Sequence, residues 1–95
     1  MLIRIVRMTF DPSKVDQFKP LFEEVRPKIQ NFPGCKHVEL CADASDASVF
    51  YTFSKWDSEE ALEAYRKSDF FDDTWARTKV LFAGKPEAYS LITES

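Results

Sequence analysis

The chain has 95 residues and a formal net charge of −3, which fits one domain of ordinary globular composition. It has no lysine- and arginine-rich segment, so we expect no nucleic-acid partner. No apolar run approaches the ~20 residues of a membrane span. Arg4 and Arg7 interrupt the apolar N-terminal stretch, so we expect neither a membrane segment nor a signal peptide. Residues 1–95 are expected to form a single domain.

The two cysteines, Cys35 and Cys41, fall on one predicted strand. At ~3.3 Å per residue their Cα atoms would lie ~20 Å apart, beyond disulfide reach. Free thiols are typical of a reducing compartment, so we expect a cytoplasmic protein. Together with the single histidine, His37, the cysteines match no zinc-binding spacing, and no metal site is expected.

The first third of the chain predicts a strand followed by a helix. Residues 2–10 alternate with period 2, as in a strand. In residues 11–32 a helix start at Asp11-Pro12 is followed by apolar positions at steps of three and four. Pro20 and Pro27 lie inside this stripe and predict bends in a continuous helix. Pro33-Gly34 is expected to end it.

Two more strands are predicted in the middle of the chain. Residues 35–42 and 48–56 are separated by a polar, acidic turn at residues 43–47. The second of these strands is apolar on both faces, which is typical of a central position in a sheet.

A second helical region and a last strand complete the chain. Asp57 and Ser58 open the helix, with Asp57 as the expected cap. Ser68-Asp69 interrupts it, and helical spacing resumes as far as Phe82. Gly84 fits a C-terminal cap, and residues 87–92 predict the last strand.

The resulting order, β-α-β-β-α-(α)-β, predicts an α+β fold of the ferredoxin-like type, with a four-stranded antiparallel sheet and helices on one face. The other face has too many apolar side chains for contact with water. We therefore expect an isologous homodimer that packs through this open sheet face.

Short motifs along the chain are similar to those of a known family. They are Phe32-Pro33-Gly34-Cys35, a strand that ends in Trp56, and Ala61-Leu62-x-x-Tyr65-x-x-Ser68-x-Phe70-Phe71. With the order of elements, they resemble the antibiotic biosynthesis monooxygenase family. The resemblance implies a dimeric α/β-barrel. It also implies one of the family's activities, which include cofactor-independent oxygenation of quinols or anthrones and haem degradation.

The sequence departs from the family pattern at several functional positions. The family's glutamate two residues before the tryptophan is Ser54 here, and two histidine positions hold Tyr65 and Phe70. The asparagine that helps to hold anthrones in some members is Thr52. The first strand has no asparagine and the helices after Trp56 have no histidine, so we do not expect haem degradation.

The candidate site lies on one face of the third strand. By parity its alternate side chains share a face, which would form an apolar pocket for a flat aromatic ligand if the helices cover it. An arginine, Arg4 or Arg7, is a candidate to stabilise a substrate phenolate. The candidate catalytic residues are Trp56, Thr52, Tyr65 and His37. The candidate substrate-binding residues are Phe50, Ser54, Phe71, Trp75 and Arg4.

Each candidate also has a structural interpretation. Trp56 and Tyr65 are equally typical of a core, Thr52 of any strand, and His37 beside Glu39 of a surface pair. The first hypothesis is a monooxygenase of small aromatic compounds without metal, flavin or other cofactor. The second is a non-catalytic dimeric protein that binds a small apolar ligand in its pocket. Isomerase or lyase chemistry needs an acid–base pair that the sequence does not show.

Overall fold

The computed structural model describes residues 1–94. The order of elements confirms the predicted ferredoxin-like α+β fold, with the second helical region divided in two. No helix among these residues combines the length and apolarity needed to cross a bilayer. The elements are β1 (Leu2–Thr9), a short 3-10 turn (Pro12–Lys14), α1 (Val15–Gln30), β2 (Cys35–Ala42), β3 (Val49–Trp56), α2 (Glu59–Arg66), α3 (Asp69–Lys79) and β4 (Glu87–Ile92).

The sheet has the strand order β2-β3-β1-β4 and is antiparallel throughout. β3 is central, as its two apolar faces predicted. The register places Arg4 of β1 between Ser54 of β3 and Ser90 of β4. Since alternate residues share a face, the side chains of Arg4 and Ser54 lie on the same side of the sheet as the buried Trp56.

The hydrophobic core lies between this sheet face and the three helices. Phe10, which is fully buried, stacks on Phe18 of α1 with ring centroids 4.1 Å apart. The predicted stripe of α1 is confirmed, because its apolar residues at steps of three and four are buried. Pro20 and Pro27 do not interrupt the helix.

The start of α1 differs from its prediction. Asp11 does accept a hydrogen bond from the backbone N–H of Ser13, but it caps the 3-10 turn and α1 begins only at Val15. A 3-10 turn is a frequent extension of a helix terminus.

The cap of α2 is Ser58, so the prediction of Asp57 is wrong. The hydroxyl of Ser58 accepts a hydrogen bond from the backbone N–H of Ala61 at 3.1 Å. The carboxylate of Asp57 instead lies 3.6 Å from the ammonium of Lys36. Both residue types are good caps, and the backbone geometry decides between neighbours.

The end of α3 also differs from its prediction. The helix starts after Ser68, whose hydroxyl accepts from the backbone N–H of Phe71, and it stops at Lys79. Phe82 forms an isolated β-bridge with Phe10. Gly84 does not adopt a positive φ and is not the helix cap.

A bulge at the start of β2 places Cys35 and His37, which are two residues apart, on opposite faces of the sheet. Cys35 is paired with Trp56, and the next pair is His37 with Lys55, so one extra residue is inserted on β2. Such a bulge moves the side chains on one side of it to the other face. Cys35 therefore packs against the core, whereas His37 lies on the open sheet face.

Gly34 should be intolerant of any side chain. Its φ is +86°, and a Cβ built there would lie 2.5 Å from the Cβ of Ala61. We expect Gly34→Ala to lower the free energy of unfolding by about 2 kcal/mol or more, since left-handed strain adds to overpacking. Gly84→Ala is the matched control, because its Cβ would meet Thr9 at 3.6 Å, an ordinary contact. Urea unfolding measures both, and an equal effect of the two substitutions would contradict this account.

Candidate functional site

A cavity of about 290 Å³ lies between the helix-covered sheet face and the helices. Its volume is near the lower end of the range for small-molecule sites. Residues of β1, β2, β3 and all three helices contribute to the wall, which is mostly apolar. A cavity of this size and lining fits a small, flat, apolar ligand.

Trp56 and Ser54 form the end of the cavity on β3. The indole Nε1–H of Trp56 donates a hydrogen bond to the hydroxyl of Ser54 at 3.0 Å, and both residues are buried. The Ser54 hydroxyl in turn donates to the backbone carbonyl of Arg4 at 3.4 Å. Ser54 therefore serves first as the acceptor that a buried indole requires.

A continuous series of aromatic rings forms one wall. Tyr65 stacks on Trp56 with centroids 5.0 Å apart, and Phe71 meets Tyr65 edge to face at 5.1 Å. Trp75 lies parallel to Phe71 at 6.0 Å. Rings in these arrangements fix one another's orientation and give the wall a defined shape for a planar ligand.

Tyr65 presents a neutral hydroxyl. Burial raises the pKa of this phenol well above its usual value, and the neighbouring Cys35 raises it further. At neutral pH the side chain can therefore donate a hydrogen bond, but it does not supply a base.

Thr74 is a polar group of the cavity that the sequence reasoning missed. Its hydroxyl oxygen is buried and has no hydrogen-bond partner among residues 1–94, and the residue lines the cavity. Its helical spacing from Phe71 and Thr78, three and four positions away, was a signal that could have placed it on this face.

Two arginines line the cavity, Arg4 and Arg66. Arg4 donates to the hydroxyl of Ser90 at 2.9 Å. Burial lowers the pKa of the Arg4 guanidinium, and the positive charge of Arg66 lowers it further. Arg7 lies on the opposite face of β1, so Arg4 is the arginine that the sheet directs toward the cavity. Arg66 had no distinguishing signal in the sequence.

The structure brings most of the candidate residues together. Seven of the nine line the cavity: Arg4, Thr52, Ser54, Trp56, Tyr65, Phe71 and Trp75. Phe50 is buried on the same sheet face but packs against the stacked pair of Phe10 and Phe18 and does not line the cavity. His37 lies on the open face, where its Nε2 is 2.9 Å from a carboxylate oxygen of Glu39.

The cavity lining described by residues 1–94 includes no aspartate, glutamate, histidine or cysteine. Its polar groups are hydroxyls and guanidiniums, which donate hydrogen bonds and stabilise negative charge. The arrangement can exclude water from an aromatic ligand and favour its anionic form. It offers no side chain of suitable basicity to remove a proton.

The chain is similar to one family in sequence and to many solved structures in fold. Residues 1–77 match the profile of the family described as antibiotic biosynthesis monooxygenase. A crystal structure of an antibiotic biosynthesis monooxygenase aligns over 100% of both chains, with 20% identity and a TM-score of 0.92. No curated protein is detectably similar in sequence.

Two further structures have the same fold. A conserved protein from Methanosarcina mazei has 18% identity and a TM-score of 0.92, over 99% of this chain and 94% of its own. A protein from Mycobacterium tuberculosis has 19% identity and a TM-score of 0.90, over 99% of this chain and 95% of its own. At these identities the similarity establishes the fold.

The raised pKa of Tyr65 predicts a pH dependence of stability. Below pH ~10 the phenol is neutral in both states; above it, the unfolded chain ionises first. The unfolded state then binds fewer protons, so stability falls with rising pH. We expect Tyr65→Phe to make this alkaline decrease in the free energy of unfolding shallower.

The comparison variant is Tyr89→Phe. The Tyr89 phenol on β4 donates a hydrogen bond to a carboxylate oxygen of Glu87, which raises its pKa, so its removal should flatten the slope less than removal of the buried Tyr65 does. Urea titrations between pH 8 and 11 measure the slopes. A slope unchanged by Tyr65→Phe, or reduced as much by Tyr89→Phe, would contradict the buried, neutral state of Tyr65.

Proposed function

The chain belongs to the antibiotic biosynthesis monooxygenase family, and we propose on this premise that it is a cofactor-independent monooxygenase of a small quinol- or anthrone-like substrate. The observation that carries the proposal is the mostly apolar cavity, whose lining combines a wall of four aromatic rings with two guanidiniums. The rings match a planar substrate, and the guanidiniums favour its anion.

The reaction needs molecular oxygen as its only co-substrate. The ionised substrate transfers one electron to oxygen, and the two radicals combine to a peroxide at carbon. Cleavage of the O–O bond with loss of water leaves the carbonyl product. At an anthrone one CH₂ group and O₂ give C=O and H₂O; at a quinol with a free ring C–H, the quinol and O₂ give a hydroxyquinone and H₂O. The protein contributes by binding the anion, excluding bulk water and presenting Thr52 and Tyr65 as hydrogen-bond donors.

The proton of the substrate leaves without a side-chain base in this scheme, because the described lining has no carboxylate or imidazole. Water at the cavity mouth accepts it. The scheme therefore favours substrates that ionise readily, and the rate should follow the ionisation of the substrate itself.

A second candidate function is the binding of a small apolar ligand without turnover. Tyr65 and Phe70 occupy positions that hold histidines in family members, and the hydroxyl of Ser54 is already bonded to Trp56. Compared with those family members, this chain lacks the acid–base groups but still has a cavity that could hold a ligand. The two functions differ in whether oxygen is consumed.

We also propose that the chain forms a homodimer through its open sheet face. No helix covers this face in the described chain, yet the central strands place Ile3, Ile5 and Phe53 on it. β4 adds Tyr89 and Leu91, which are 49% and 48% exposed. An apolar, two-fold self-complementary surface is stabilised when two copies bury it together. Both cysteines are free, which supports a cytoplasmic location.

The dimer is tested by Ile5→Glu on the central strand β1. A buried carboxylate without a partner is costly, so we expect at least a ~30-fold weaker dimer. Val80→Glu is the control, since Val80 is 63% exposed but lies outside the sheet. Sedimentation equilibrium at micromolar concentrations measures both. A wild-type monomer, or a dimer insensitive to Ile5→Glu, would show that this face is not the interface.

Oxygen uptake tests catalysis. A panel of quinols and anthrones is incubated with the protein in air, and we expect one O₂ consumed per product. The rate should rise with pH through the pKa of the substrate.

Thr52→Ala, which removes a hydroxyl from the lining, should lower kcat/KM about tenfold. Trp56→Phe should lower it at least as much. Thr93→Ala, an exposed threonine after β4, should change it less than twofold. Tight binding of an aromatic compound without oxygen uptake would favour the second function.

A further inference from the structure

One end of the cavity is marked by two guanidinium groups. Arg4 and Arg66 line both the 290 Å³ cavity and an adjoining depression, and Leu62 is shared as well. The remaining residues of the depression are Glu59, Glu63 and Ser90. The shared arginines therefore lie where the cavity opens toward the depression, and we call this place the mouth.

Arg4 has unused hydrogen-bonding capacity at the mouth. A guanidinium has five N–H donors in a planar array. Within the described part of the chain, the side chain of Arg4 makes one hydrogen bond, to Ser90. Within residues 1–94 no carboxylate lies within ion-pair distance of it. Glu63 acts on the pKa of Arg4 only without direct contact, and burial and the charge of Arg66 outweigh its effect. A partly buried guanidinium with no carboxylate in contact is unfavourable, because burial penalises its charge.

The charged groups differ between the cavity side and the depression side of the mouth. Arg66 is paired with Glu63 at 2.8 Å, and Glu59 and Glu63 line the depression but not the cavity. Among the residues that the structure describes, those at the mouth that line the cavity therefore include guanidiniums and no carboxylate. The charge of Arg66 also opposes that of Arg4, and an anion placed between them would relieve this repulsion.

A second polar requirement lies in the cavity lining, outside the depression. The buried hydroxyl of Thr74 has no partner among the described residues, and a buried polar group without one is unfavourable. Thr74 lines the same cavity as the guanidiniums. A ligand oxygen would satisfy it, and the apolar wall between requires that the rest of the ligand be aromatic or aliphatic.

We propose that the ligand of this cavity is an aromatic carboxylic acid. Its carboxylate pairs with Arg4, supported by Arg66, at the mouth, since planar carboxylate and guanidinium groups match in geometry. Its rings lie along the aromatic wall, and a further oxygen substituent bonds to Thr74. An aromatic carboxylic acid would narrow the substrate class of the proposed oxygenase. The proposal rests on that function only in taking this cavity as the binding site.

The probes are 2-naphthoate and its neutral, equally sized analogue 2-naphthamide. Isothermal titration calorimetry measures their dissociation constants at pH 7.5. We expect the wild type to bind the carboxylate at least ~10-fold more tightly than the amide, as a charge-assisted hydrogen-bonded pair at a partly buried site requires.

Arg4→Gln should abolish this preference and leave the affinity for the amide within about twofold. Arg66→Gln should reduce it by a factor of ~3, and it provides a second variant if Arg4→Gln does not fold. Arg26→Gln is the matched control, because Arg26 is exposed on α1 and lines neither cavity nor depression; the wild-type preference should remain. Equal affinities in the wild type, no binding of either probe, or a preference that survives both cavity substitutions would overturn the proposal.

The Thr74 part is tested with monohydroxylated 2-naphthoates. At least one isomer should bind about fivefold more tightly than 2-naphthoate, and Thr74→Val should remove that gain. If no isomer gains affinity, the bond to Thr74 is wrong.

These are equilibrium measurements and need no turnover. A preference for the carboxylate without oxygen uptake from any substrate would refute the oxygenase function and leave the ligand class standing. Oxygen uptake from neutral quinols with no preference for the acid would do the reverse.

Discussion

The buried indole of Trp56 is the constraint on which fold and cavity jointly depend. It closes β3, pairs with Leu2 and Cys35 on the neighbouring strands, and is 1% exposed. Its N–H must find an acceptor, and Ser54, two residues earlier on the same face, supplies it. One side chain thus anchors the end of the sheet and forms the cavity wall. The core and pocket interpretations of Trp56 are not alternatives, because a small domain uses the same ring for both.

The electrostatics of the cavity follow from which polar groups the sheet and helices direct inward. Hydroxyls stay neutral at physiological pH, as the raised pKa of Tyr65 illustrates. The only charges at the wall are those of Arg4 and Arg66, within the part of the chain described. A site of this kind stabilises an anion that arrives, but it does not create one by removing a proton. The site therefore selects ligands by the acidity of the ligand itself and by the position of its negative charge.

Periodicity predicted the parts of the molecule that repeat. The alternation in β1 and β3 and the stripe of α1 are long enough for burial on one face to dominate, so element order and most strand bounds follow from sequence. Single-residue events were not predictable in this way. The bulge beside His37 shifts a face by one position, and no residue there differs from ordinary strand composition. Arg66 is the last residue of α2, and only the folded chain brings it to the same cavity lining as Arg4.

The proposed oxygenase function and the proposed aromatic carboxylate ligand place opposing demands on the guanidinium of Arg4. If a carboxylate occupies Arg4, that charge is already neutralised when the reacting oxygen of the same ligand must ionise. Stabilisation of the second anion then falls to neutral donors such as Tyr65 and Thr74, which contribute less than a charged donor. A substrate that satisfies both proposals must therefore carry an unusually acidic reacting group. A ligand that lacks one would be bound firmly and left unchanged. The cavity would thus distinguish a substrate from an unreactive ligand of the same shape by the acidity of its reacting group.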